Sequence, residues 1–348
     1  MRRMRDHRDR RVQRFSLPSL NPLISDITTM FRATFFSVLT LAMTSHDAHA
    51  DPPEIQLSNE ILTARMYVPD AERGYYRGAR FDWSGVISSL KYAGHEYFGE
   101  WQTADDPYLH DRITGPVDSF SANTDISAGQ KFLRIGTGVC EKVKAEANWP
   151  HPFRVVDAGR WTTQSGANWV VMIQQIETDD GHAYQYRKTI TLIPGLPEMV
   201  IDHQLTNTGS SVLESSVYNH NFFVIDDQAT GPDFVIRFPF TLRAEDSRFN
   251  GFAGVDGNHL KFLKEIPADD YIITMLTGFT DSTNDHQFQI EHRKTKAGVR
   301  MVTDRPMNKL RFWSPRSTVC PEPFIDIKLH PNQSDRWAIH YVFYTVAD

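Results

Sequence analysis

The segment Tyr184-Gln185-Tyr186-Arg187-Lys188-Thr189-Ile190-Thr191-Leu192, with Pro194-Gly195 and the run Glu198 to Thr206 behind it, decides the fold class. Its first half alternates with period two, the pattern of a strand with one face turned inward. After Leu196-Pro197 the chain returns through a second run, so spacing and turn chemistry predict a hairpin. Towards the N-terminus, Glu60 to Val68 reads as a strand stopped by Pro69-Asp70, and Gly74 to Arg80 as a Gly-interrupted loop. Trp83 to Leu90 enters a further strand that turns at Ala93-Gly94. Towards the C-terminus, Asn207-Thr208-Gly209 turns into a strand over Ser215 to Ile225. Trp337, Ile339, Tyr341 and Phe343 share one face of a closing strand. No convincing helix longer than a turn or two, no linker and no fixed-period repeat interrupts this pattern. The expectation is an all-β chain, a large antiparallel β-sandwich without an internal domain boundary.

The N-terminus reads differently. Residues 1–29 carry seven arginines and no apolar pattern; they are either an untranslated upstream extension or a long cationic leader. Residues 30–50 combine Arg32, the apolar run Ala33 to Met43 and Ala48-His49-Ala50 before Asp51-Pro52-Pro53, the three parts of a secretory signal peptide. Cleavage after Ala50 is expected, with export to the periplasm or the medium, leaving 51–348 as the folded body. The leader holds eight arginines and four aspartates, so its loss takes the formal net charge from −6 to about −10. Such a body lacks a footprint for nucleic acid, and an anionic membrane surface repels it. No stretch beyond residue 50 approaches the roughly 20 apolar residues of a spanning helix. The two cysteines, Cys140 and Cys320, are far apart in sequence, and pairing or separate burial both remain open.

Common chemical signatures are missing: the sequence has no HExxH, no clustered Cys/His ligands, no P-loop and no Gly-x-Ser-x-Gly elbow. Gly136-Thr137-Gly138 reads as a bend. Neither metal nor cofactor is expected. Two segments remain. In Val217-Tyr218-Asn219-His220-Asn221-Phe222-Phe223, alternation puts Tyr218, His220 and Phe222 on one face. In Val319-Cys320-Pro321-Glu322-Pro323-Phe324, the prolines remove two ladder donors, so the strand should be irregular or at an edge, with Glu322 free to enter a cleft.

Together these segments resemble the galactose mutarotase-like, or aldose 1-epimerase, superfamily. Leu205-Thr206-Asn207 leads to Asn219-His220-Asn221-Phe222, as that superfamily's L-T-N strand leads to its histidine motif. Cys320-Pro321-Glu322-Pro323 is similar to its later C-x-E. Gly85 to Leu90, Thr303-Asp304-Arg305-Pro306 and Arg311-Phe312-Trp313 look like further islands of the same pattern, which spreads over residues 55–345. The resemblance implies a mutarotase-like supersandwich, a carbohydrate substrate, and interconversion of anomers without metal or cofactor. In that reading His220 protonates the ring oxygen and Glu322 removes the anomeric proton, across one cleft and roughly 5–9 Å apart. Arg80 and His110 are the best matches for the family's substrate-binding arginine and second histidine, Asn219 accompanies His220, and Trp313 offers a platform for a sugar ring. Arg80 has an alternative as a loop ion pair with Asp82, His110 as a turn residue and Trp313 as a core side chain. No match for the family's sugar-binding aspartate is found. Three other functions stay open: a non-catalytic carbohydrate-binding protein, an isomerase of a modified or oligomeric sugar, and a polysaccharide lyase.

Overall fold

Strands with one apolar face must bury it against another such face, and here two large sheets do so. The structure, a computed structural model, describes residues 51–121, 125–144 and 153–347. The readings made for residues 1–29 and 30–50 lie outside the described residues. A ten-stranded antiparallel sheet carries Ser334–Thr345, Glu198–Asn207 and Ala183–Leu192 side by side near its middle. A six-stranded antiparallel sheet runs in the order Arg243–Arg248, Tyr271–Thr277, Lys309–Pro315, Cys320–Leu329, Leu213–Phe222, Gly115–Phe120. Leu310, Phe312, Ile272 and Leu276 of the second sheet share one buried cluster with Ile201, Ile290, Val299, Met301 and Tyr341 of the first. Val217, Ile325 and Ile327 likewise meet Tyr184, Leu205 and Trp337. Among the described residues the only helix is a 3-10 turn at Thr283–Asp285.

The hairpin expected around Pro194-Gly195 forms over Ala183–Leu192 and Glu198–Asn207, with Ile190 opposite Ile201. The turn at Ala93-Gly94 has φ values of 49° and 86°, the left-handed pair that a tight hairpin turn requires. Gly136-Thr137-Gly138 lies at the turn joining Lys131–Arg134 to Gly138–Lys142, a bend as read. The closing strand buries Trp337, Ile339, Tyr341 and Phe343 together. Cys140 and Cys320 are separate, buried thiols.

The strand expected to start near Trp83 starts instead at Val86. The residues before it are held by charge. Lys188 sits in the inward row of its strand with Tyr184, Tyr186, Ile190 and Leu192, and its Nζ lies 2.6 Å from Asp82 and 2.7 Å from Asp118. His203 Nε2 is 2.9 Å from Asp118, and the Tyr186 and Ser84 hydroxyls donate to Asp82. Buried charges persist only when they are paired and hydrogen-bonded in this way. Burial opposes ionisation of Asp118, but Lys188 and His203 outweigh it and hold the carboxyl well below its ordinary value. The cluster ties the loop 74–85 to both sheets, and that loop carries Arg80 to the site.

Candidate active site

The site begins with a gap between two neighbouring strands. Leu213–Phe222 pairs with Cys320–Leu329 as far as Tyr218 opposite Phe324. Beyond the gap, Phe223 bridges Val319 in the same register. His220 therefore stands opposite Glu322, although no ladder joins the residues between. Pro321 and Pro323 cannot donate there. The Asn221 amide replaces what they lack: its Nδ2 donates to the Pro321 carbonyl at 2.9 Å and to the Asn219 carbonyl at 3.1 Å. Its Oδ1 accepts from the Tyr341 hydroxyl at 2.7 Å. Of the two alternatives expected here, an irregular strand or an edge strand, the irregularity is present as this gap and the edge position is not. The strand of Glu322 is central, and it keeps full register with Lys309–Pro315, where Arg311 lies opposite Glu322.

His220 and Glu322 share the outward face of the six-stranded sheet. His220 Nε2 lies 3.4 Å from Glu322 Oε1, and both side chains are at most 3% exposed. This is closer than the 5–9 Å expected of groups that hold a sugar between them, because the two are direct cross-strand neighbours. A ligand must therefore lie above the pair, touching both from one side. His220 stacks on Phe222 at 3.8 Å and meets the edges of Phe81 and Trp313. Its Nδ1 has no hydrogen-bond partner among the described residues. Arg311 Nε donates to Glu322 Oε2 at 2.8 Å.

The loop before Val86 places Arg80 over this pair. Its backbone is fixed by the Ser119 hydroxyl on its carbonyl, by Arg134 on the Ala79 carbonyl and by Tyr76 on its amide. The guanidinium donates to the Tyr218 hydroxyl through Nη2 at 3.0 Å and pairs with Asp111 through Nη1. Nη1 is also 3.0 Å from His110 Nε2; since arginine can only donate, that nitrogen accepts. The ion pair with Asp82 weighed for Arg80 does not form, because Asp82 is taken by Lys188.

A cavity of about 480 Å³ opens above these groups, lined by Arg80, Asp111, His220, Phe222, Tyr271, Ile273, Arg311, Trp313 and Glu322. Of the residues read from the sequence, His220, Glu322, Arg80 and Trp313 come together here. His110 stands behind Arg80. Asn219 does not reach the cavity. It follows the opposite phase of its strand, so its side chain turns into the sandwich, donating to Asp118 at 3.2 Å, with its Oδ1 2.8 Å from the Tyr341 hydroxyl. The alternation that turned His220 outward already excluded it. Arg311 and Asp111 were missed. Arg311 shares a strand phase with Trp313, a signal present in the sequence, whereas its position opposite Glu322 needed the register.

Burial, reinforced by Arg80, Arg311 and His110, pushes the His220 imidazole well below its ordinary value. Burial pushes the Glu322 carboxyl up, against the pull of Arg311 and Arg80. Both movements disfavour the charged form of the group concerned, as burial does. Among the described residues no group of three or more acidic, histidine or cysteine side chains is arranged to hold a metal ion.

The two stacked antiparallel sheets define a large β-sandwich, and solved structures share that fold. The aldose epimerase homologue of C. elegans matches at 15% identity with a TM-score of 0.52, over 84% of this chain and 99% of its own. A galactose mutarotase-like protein from Clostridium acetobutylicum matches at 12% identity and 0.52, over 84% and 95%. The Slr1438 protein from Synechocystis sp. PCC 6803 matches at 11% identity and 0.53, over 87% and 100%. No family model matches the chain, and no curated protein matches its sequence. The chain has the galactose mutarotase-like fold.

Proposed function

We propose that this protein interconverts the anomers of a sugar by acid-base catalysis with His220 and Glu322. The observation that carries the reading is the contact between their side chains, buried and on one side of a cavity of pyranose scale or larger. Mutarotation moves one proton from the anomeric hydroxyl to the ring oxygen while the bond from C1 to that oxygen breaks. The pair needs to hold one proton for this. Glu322, hydrogen-bonded by Arg311, takes the proton of the anomeric hydroxyl as a carboxylate, and His220 supplies one to the ring oxygen. The open aldehyde turns about C1–C2 and the steps reverse on its other face. Trp313 and Phe222 supply apolar surface for the ring.

NMR of anomer exchange with purified protein tests this. His220→Asn and Glu322→Gln keep shape and remove proton transfer; each should slow exchange about 10²–10⁴-fold. The double variant should lose little more than either single one, because the groups act as a unit. Full exchange in both variants would make the cavity a binding pocket and end the catalytic reading.

A further inference from the structure

We propose that the sugar accepted by this site carries a carboxylate beside its ring oxygen, as a uronic acid does, and that Arg311 reads it. The inference rests on the anomer-exchange reading and adds the substrate class. Its basis is an asymmetry between the two guanidiniums that line the cavity. Arg80 is fully engaged, with Tyr218, Asp111 and His110 around its nitrogens. Arg311 is anchored through Nε alone, on Glu322. Among the described residues its two terminal nitrogens have no hydrogen-bond partner, and the side chain is 27% exposed. Its plane is steadied by the rings of Tyr218 and Phe324, with Cζ 5.2 and 5.3 Å from their centres. A planar fork held by one corner, with its other edge open to a cavity, is suited to bidentate capture of a carboxylate.

Position supports the same choice. Arg311 lies opposite Glu322, which stands between it and His220, so an anion on its open edge lies beside the His220–Glu322 pair. In a uronic acid the carboxylate is attached to the ring carbon bonded to the ring oxygen, the atom His220 must protonate. Such a group brings negative charge beside His220 and offsets the two guanidiniums that disfavour its protonated form. Lys309 shares the Phe324 ring with Arg311, its Nζ 4.7 Å from the ring centre, which adds a second positive charge on this edge. A phosphoryl dianion fits less well: Arg311 offers one open fork, and the Glu322 carboxylate stands beside it.

Anomer exchange of glucuronate, galacturonate, glucose, galactose and glucose 6-phosphate should be followed by NMR with the full chain. Glucuronate or galacturonate is expected to exceed its parent hexose in kcat/KM by about 10- to 100-fold, the range of one charge-assisted contact. Arg311→Gln should bring that ratio close to one, and Arg311→Lys should restore part of it. Equal rates for uronates and hexoses, an unchanged ratio in Arg311→Gln, or a preference for glucose 6-phosphate would overturn the inference while leaving anomer exchange standing. Should no sugar exchange at all, the catalytic reading fails, and calorimetry decides the substrate class separately. Glucuronate binding that is lost in folded Arg311→Gln, with glucose not bound, upholds it; no glucuronate binding defeats it.

Discussion

The proton on the His220–Glu322 pair sets a pH dependence that differs from that of either residue in water. In the proposed reaction the pair works with one proton and titrates as a unit. As pH rises, that proton is lost through the upper ionisation of the pair. Burial with Arg80, Arg311 and His110 around His220 places it below the ordinary imidazole value of about 6.5. As pH falls, a second proton binds, and the raised affinity of Glu322 brings this limb above the usual glutamate range. Asp111, the other carboxylate lining the cavity, is itself pushed up by burial against Arg80 and adds to the acid limb. For a neutral hexose, kcat/KM should therefore peak on the acid side of about 6.5 and fall in both directions. A plateau extending to pH 8 would contradict this. At this scale the sequence made Tyr218, His220 and Phe222 legible as one face, because strand phase is local. It also held the phase that turns Asn219 inward, which was not applied to that residue. The pairing of Arg80 with Asp111 was not legible, since it joins two loops across a distance that no periodicity spans.

At the scale of the strand, the gap between Tyr218–Phe324 and Phe223–Val319 is stable because one side chain does the work of a ladder. Asn221 satisfies two carbonyls and accepts from Tyr341, all within the buried sandwich. Leaving a buried polar group unsatisfied costs about 1–3 kcal/mol, so Asn221→Ala should destabilise the protein by about 2–4 kcal/mol. Urea unfolding reads this as a lower midpoint at unchanged slope. Anomer exchange should fall further than stability alone accounts for, because the strands of His220 and Glu322 lose their tie. A variant with native stability would show that the gap needs no such bridge. The two prolines announced an interruption correctly; they did not announce the asparagine that repairs it, because the repair runs across the strand pair.

For the whole molecule, the buried Asp82–Lys188–Asp118 cluster joins the site loop to both sheets. Lys188→Met leaves two carboxylates buried without their cation, at a cost of about 3–5 kcal/mol. The sign with pH follows from the shifts. Asp118 is depressed in the folded state, so its contribution is full above the ordinary carboxylate value of about 3.9 and is lost as pH falls below it. Lys188 is opposed by burial yet raised by Asp118 and Asp82, so its contribution is full at neutral pH and is lost only as pH rises beyond about 10.4. Wild-type protein should hold a flat melting temperature across neutral pH. Lys188→Met should melt lower and recover part of the difference on acidification, as its stranded carboxylates take up protons. A difference that stays constant with pH would remove the cluster from this role. A lysine in the inward row of an otherwise apolar strand was visible in the sequence; its two partners, about 70 and 106 residues earlier in the chain, were not.

The alternation that sets His220 against Glu322 has a consequence for how such a chain tolerates length changes. Outward positions of these two strands form the site and inward positions form the core, so a one-residue shift exchanges the two sets completely. An insertion between Leu213 and Tyr218 would carry His220 into the sandwich and bring Asn219 and Asn221 to the cavity. Substitutions there act by degrees, whereas a single inserted or deleted residue abolishes site and core together. The reading frame of this strand pair is protected by the packing of the protein itself.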